Sequence, residues 1–142
     1  MQVFIVGTPL ETAMALDARR LRKQIIECGQ ILDALNGAKA WSNHPCVLQY
    51  RGYKKWLEWY KSCLKWYVDG DMDWAKSCSD VAETIKPPFH TQEYYDLMKR
   101  RLYTKGPEHY KQWSDLGFSD ENWYWSQDEN KFIKYINGKR IE

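Results

Sequence analysis

Long apolar runs are missing from these 142 residues. Nothing approaches the ~18 consecutive apolar positions of a membrane-spanning helix, so a helical membrane protein is excluded. The short VFIVG segment at residues 3–7 has neither the length nor the basic start of a secretory signal. A soluble, cytoplasmic protein without a membrane partner is expected. A strong charge of either sign is missing as well. Lys+Arg number 21 against 19 Asp+Glu, a net of +2, so any basic surface for a polyanion must be local. Cys28, Cys46, Cys63 and Cys78 include no C-x-x-C pair and each falls in a helix-like setting. They read as small core residues of a reducing compartment rather than a zinc site or disulfide frame. The three histidines, His44, His90 and His109, are scattered, and no metal site is expected from them. No phosphate-cradling glycine loop, G-x-S-x-G elbow or H-E-x-x-H helix occurs, so no cofactor is expected either.

Aromatic rings are what the sequence has in excess: eight Trp and ten Tyr in a chain that is 44% hydrophobic and 28% charged. This is the composition of a globular domain, and the length fits one domain, residues 1–142. VFIVG suits a short strand or a buried N-terminal arm. Thr8-Pro9-Leu10-Glu11 is a capping box with proline in the first turn, opening a helix that runs to Leu35, where Asn36-Gly37 stops it. At about 100° per residue, Leu10, Met14, Leu21, Ile25, Cys28, Leu32 and Leu35 form one apolar stripe. A second helix is predicted from Pro45 to about Tyr67, with Tyr53, Trp56, Tyr60, Cys63, Leu64 and Tyr67 on one face. Asn43 is expected to cap it and His44 to pack beside it. A third helix is expected across residues 71–85 and a fourth from Thr91 to near Gly106, with one or two further turns over 107–113. In the tail, Asn137-Gly138 between FIKYI and KRI is a type I′ hairpin signal. The expected fold is mainly α: a compact bundle of three to five helices with a small C-terminal β-hairpin extension.

One edge of the first helix carries chemistry. Arg20, Gln24 and Glu27 fall within a narrow arc, and Lys23 stands one turn before Glu27. In solvent this is an ordinary i,i+4 ion pair worth a few tenths of a kcal/mol. Walled off by other parts of the fold, the carboxylate could act as a general acid or base. A partly desolvated lysine could equally serve as an amine nucleophile.

LDARRLRKQIIECGQIL, WSNHPCVLQYRGY, PPFH, KGPEHY and WYW occur in this order along residues 1 to about 125, an arrangement that resembles the pyrimidine dimer DNA glycosylase family. The resemblance implies a glycosylase-like helical core over 1–125, with 126–142 as a C-terminal extension. It implies a protein that binds duplex DNA and flips a nucleotide. The implied chemistry is N-glycosylase and lyase: an amine attacks C1′, a Schiff base forms, and β-elimination nicks the strand. The family's nucleophile is an N-terminal α-amine, assisted by an acid that follows an arginine on the first long helix. Here residue 2 is Gln, a poor context for removal of the initiator, and the helix has no Arg-Glu dipeptide. The catalytic set is therefore Met1 or Lys23 as amine, with Glu27 as the nearest acid. Arg19, Arg20, Gln24, Asn43, His44, Arg51, Lys105 and His109 are the DNA-binding candidates. Trp123, Tyr124 and Trp125 either stack on a base or close the core over the first helix. A monomer with DNA as partner and a damaged or modified pyrimidine nucleotide as target is expected. The other reading is a non-catalytic binder of nucleic acid or nucleotides that keeps the glycosylase-like fold.

Overall fold

The computed structural model describes residues 1–141. Six α-helices precede a small antiparallel sheet: α1 (Pro9–Ala15), α2 (Ala18–Leu35), α3 (Pro45–Gln49), α4 (Lys54–Val68), α5 (Met72–Thr84) and α6 (Gln92–Lys105). A 3-10 helix follows at Lys111–Leu116, then β1 (Asn122–Ser126), β2 (Lys131–Ile136) and β3 (Lys139–Arg140), in the order β1-β2-β3. The mainly α fold with a C-terminal hairpin is as expected. VFIVG is no strand but a buried arm, with Val3 and Ile5 fully enclosed.

Two expected helices are each broken in two. The capping box at Thr8 and Glu11 forms as predicted, but Leu16 and Asp17 are extended and α2 starts afresh. The break is held from outside. The Asp17 backbone N–H donates to the Tyr110 hydroxyl at 3.1 Å, and that hydroxyl donates to the Asp17 carboxylate. Because the register shifts there, Met14 leaves the expected stripe and is 61% exposed. The second helix is interrupted by a turn at Gly52, whose φ of +85° is open to glycine at little steric cost. The turn drives Tyr50 into the core, where it stacks on Trp56 at 5.6 Å between centroids. The cap of α3 also differs from expectation. His44, not Asn43, takes that place, its Nδ1 accepting the Cys46 N–H at 3.1 Å.

Much of the excess of rings lies in one continuous cluster, although Trp41, Trp59, Trp66 and Trp74 are exposed. Tyr50, Trp56 and Tyr60 stack in series, and His90, Tyr94, Phe89 and Phe132 extend the array to the sheet. Such contacts contribute beyond simple area burial. His90 is held neutral inside: burial pushes its pKa down to about 3, and its Nε2 shares a hydrogen bond with the Tyr50 hydroxyl at 3.0 Å. All four cysteines are buried and free, as core residues should be. In the tail, Asn137 and Gly138 both take positive φ, the signature of the predicted type I′ turn. No helix of the described residues is long and apolar enough to cross a membrane.

Candidate active site

Among the described residues the N-terminal arm pairs with no strand, and side chains satisfy most of its peptide N–H groups. Gln24, on the buried face of α2, contributes to this. Its Nε2 donates to the Gln2 carbonyl at 2.7 Å, and its Oε1 accepts the Phe4 N–H at 3.1 Å and the Tyr60 hydroxyl at 3.2 Å. One helical turn on, Glu27 Oε2 accepts the Gln2 N–H at 3.0 Å. From the opposite side the Tyr124 hydroxyl donates to the Met1 carbonyl at 2.9 Å. The peptide joining Met1 and Gln2 is thus gripped on both faces, by a residue of α2 and a residue of β1.

This grip forms one end of a cavity of about 120 Å³ lined by Met1, Gln2, Phe4, Arg20, Lys23, Gln24, Glu27, Arg101, Lys105 and Asn122. Glu27 is the one carboxylate in that wall, against four cationic side chains. Its side chain is 13% exposed, whereas that of Lys23, 4.0 Å away, is 68% exposed. The amine of Lys23 therefore lies at the wet rim and the carboxylate inside. Arg20, Lys23 and Lys105 also line a neighbouring cavity of about 380 Å³, completed by Asp17, Arg19, Gly106, His109 and Tyr110. Partial burial and then the charges of Arg101, Arg20 and Lys23 lower the pKa of Lys105. At Asp17 burial works against the charge, but the Tyr110 hydroxyl and the Arg20 guanidinium outweigh it and hold the carboxyl below its usual value.

The fold brings together Met1, Lys23, Glu27, Arg20, Gln24 and Lys105 in the first cavity, and adds Arg19 and His109 in the second. Gln24 is 2% exposed, and its polar atoms are engaged by the N-terminal arm. Arg51 stands apart. It lines a different pocket, between α3 and the sheet, 3.9 Å from Asp128. Asn43 is exposed just before α3. His44 packs edge-on to Trp41 and Tyr124, and partial burial followed by the nearby N-terminal charge lowers its pKa. Of the aromatic trio, Trp123 and Tyr124 are buried and Trp125 stacks on Phe89. Trp123 also donates from Nε1 to Glu121 at 2.9 Å and lies under the Lys134 ammonium. These three close the core beside the N-terminal arm.

Arg101 and Asn122 were not foreseen. Arg101 lies one helical turn before Lys105 on α6, so the i,i+4 relation to a residue already singled out was a usable signal. Asn122 carried none. It reaches the cavity only because β1 folds back across the arm.

A helical fold that encloses one carboxylate among four cations, beside an N-terminal arm, is suited to an anionic ligand whose reacting part must leave water. Residues 1–65, which include Met1, Gln2, Lys23 and Glu27, match the family described as pyrimidine dimer DNA glycosylase. Residues 66–142, including Arg101, Lys105 and the sheet, lie beyond the match. No curated protein and no solved structure matches the chain. Among the described residues, no group of three or more His, Cys, Asp or Glu side chains is placed to hold a metal ion.

Proposed function

We propose that the protein is a DNA N-glycosylase with abasic-site lyase chemistry, acting on a damaged or modified pyrimidine nucleotide through an amine nucleophile. The observation that carries this reading is the Glu27 carboxylate, bonded at 3.0 Å to the Gln2 N–H, in a cavity shared with Met1 and Lys23. The nucleophile is the α-amine of Met1 or the ammonium of Lys23 after loss of a proton. It attacks C1′ as the bond from C1′ to the base nitrogen breaks and the base leaves with a proton. The C1′–O4′ bond then opens, O4′ takes a proton, and the amine nitrogen holds the ring-opened sugar as a Schiff base. Glu27 is well placed for the proton transfers this needs. Its side chain is sheltered, with Lys23 4.0 Å away and Arg20, Arg101 and Lys105 in the same wall.

Recognition follows from the same groups. Arg19, Arg20, Lys105 and His109 hold phosphates along the second cavity, with Arg51 a more distant phosphate contact beside the sheet. Asn43 and His44 flank the path of the strand. The cavity beside Glu27 is too small to take duplex DNA, so the nucleotide is extruded from the stack to reach it. The Tyr124 hydroxyl holds the N-terminal residue from the sheet side through the Met1 carbonyl, with Trp123 and Trp125 packed in the core beside it.

Borohydride reduction in the presence of abasic-site DNA tests the mechanism. A covalent adduct is expected, and peptide mapping of it will identify Met1 or Lys23 as the attached residue. Glu27→Gln should bind the same DNA yet turn over at least about 100-fold more slowly. DNA binding without any adduct from the wild-type protein would refute the amine mechanism and leave a non-catalytic binder.

A further inference from the structure

The basic side chains around the two cavities are not equivalent. Arg20, Lys23 and Lys105 line both, whereas Arg19 and His109 line only the outer one. Arg101 lines only the inner one, with Met1 and Glu27. Its guanidinium is also fixed, which sets it apart from a surface arginine. Nε donates to Asn122 Oδ1 at 3.1 Å and Nη1 donates to the Ser119 carbonyl at 3.0 Å. Among the described residues no carboxylate pairs with it and none accepts from Nη2. Burial disfavours its charge, with Asp120 and Tyr124 opposing that effect. A charge held in a sheltered place by two neutral acceptors, with one N–H face left over, is arranged for an anion that arrives from outside.

Resting on the amine mechanism above, we infer that Arg101 is a catalytic residue for strand scission, receiving the phosphate that leaves from C3′. In that step a proton passes from C2′ of the Schiff base to the Glu27 carboxylate. A double bond forms between C2′ and C3′, and the C3′–O bond breaks with its electron pair leaving on the phosphate. The departing group gains one negative charge, which a guanidinium already in position stabilises without having to reorganise. Covalent capture of C1′ develops no such charge on phosphate. Arg101 therefore bears on the second step more than on the first.

The experiment compares two readouts on one abasic-site duplex: adduct trapped by borohydride, and strand scission without it. In Arg101→Ala the ratio of scission rate to trapping rate should fall about 100-fold. Added guanidinium ion should recover part of the loss, and Arg101→Lys should fall between the two. Thermal melting of each variant registers any loosening of the 117–121 loop that Arg101 ties down, and rescue by guanidinium distinguishes lost chemistry from lost structure. An unchanged ratio in Arg101→Ala, with wild-type protein giving adduct, overturns the role of Arg101 and leaves the amine mechanism standing. Absence of adduct from wild-type protein overturns both.

Discussion

Acidifying the protein from pH 7 to pH 4.5 should expose the weakest point of the core behind the site. His90 is 3% exposed and burial lowers its pKa from 6.5 to about 3. In the unfolded chain the same imidazole takes up a proton below pH 6.5, so between about 6.5 and 3 the unfolded state binds more protons than the folded one. Stability from this residue is complete above pH 6.5 and is lost as the pH falls toward 3. Two pH units below 6.5, at about 1.36 kcal/mol per unit, the loss is about 2.7 kcal/mol. For a domain of this size that corresponds to a melting point lower by about 5–10 °C. The loss should reach the site, because Tyr94 stacks on His90 and donates to the Gln2 side chain at 3.3 Å. The assay is urea unfolding at pH 7 and pH 4.5, followed by tryptophan fluorescence, for wild type and His90→Gln. Carboxylates titrate alike in both proteins, so the difference between the two pH dependences isolates His90. An equal loss in His90→Gln would show that the histidine is not the source and the reasoning is wrong.

Removing the Gln24 side chain with Gln24→Ala strips partners from the Gln2 carbonyl, the Phe4 N–H and the Tyr60 hydroxyl together. It should cost about 3–5 kcal/mol in chemical denaturation, and a loss under 1 kcal/mol would mean that Gln24 does not hold the arm. Binding of DNA phosphates through Arg19, Arg20 and Lys105 of the outer cavity and the more distant Arg51 should give a log–log salt slope of about −3.6 by fluorescence anisotropy. Arg20→Ala should reduce that slope by about 1, and an unchanged slope would place the phosphate backbone elsewhere.

Local rules carried a good part of the fold. Thr8, Pro9 and Glu11 act within a few residues of one another, and the helix start they predict is the one observed. Asn137-Gly138 sets a turn from its own φ preferences, and the hairpin forms there. The two unforeseen helix breaks have more distant causes. At Asp17 the partner is Tyr110, 93 residues away, so no window of sequence around Leu16 contains the reason. At Tyr50 the driving force is a place in a stack of rings drawn from α4 and the segment after α5. His44 displaced Asn43 as cap because its imidazole can accept from the Cys46 N–H while packing between Trp41 and Tyr124.

The site divides in the same way. Periodicity alone put Arg20, Lys23, Gln24 and Glu27 along one edge of a helix, since residues three and four apart must neighbour each other. It could not say whether that edge was wet. The answer depends on two pieces of chain distant in sequence: the arm, whose Gln2 N–H meets Glu27, and β1, whose Tyr124 meets Met1. Sequence fixes which groups sit on a helix face because that geometry is local. Burial of a carboxylate and the isolation of Arg101 from Arg19 and His109 arise only when α6 and the sheet fold against α2, since desolvation is a property of everything that surrounds a group and of nothing in its own segment.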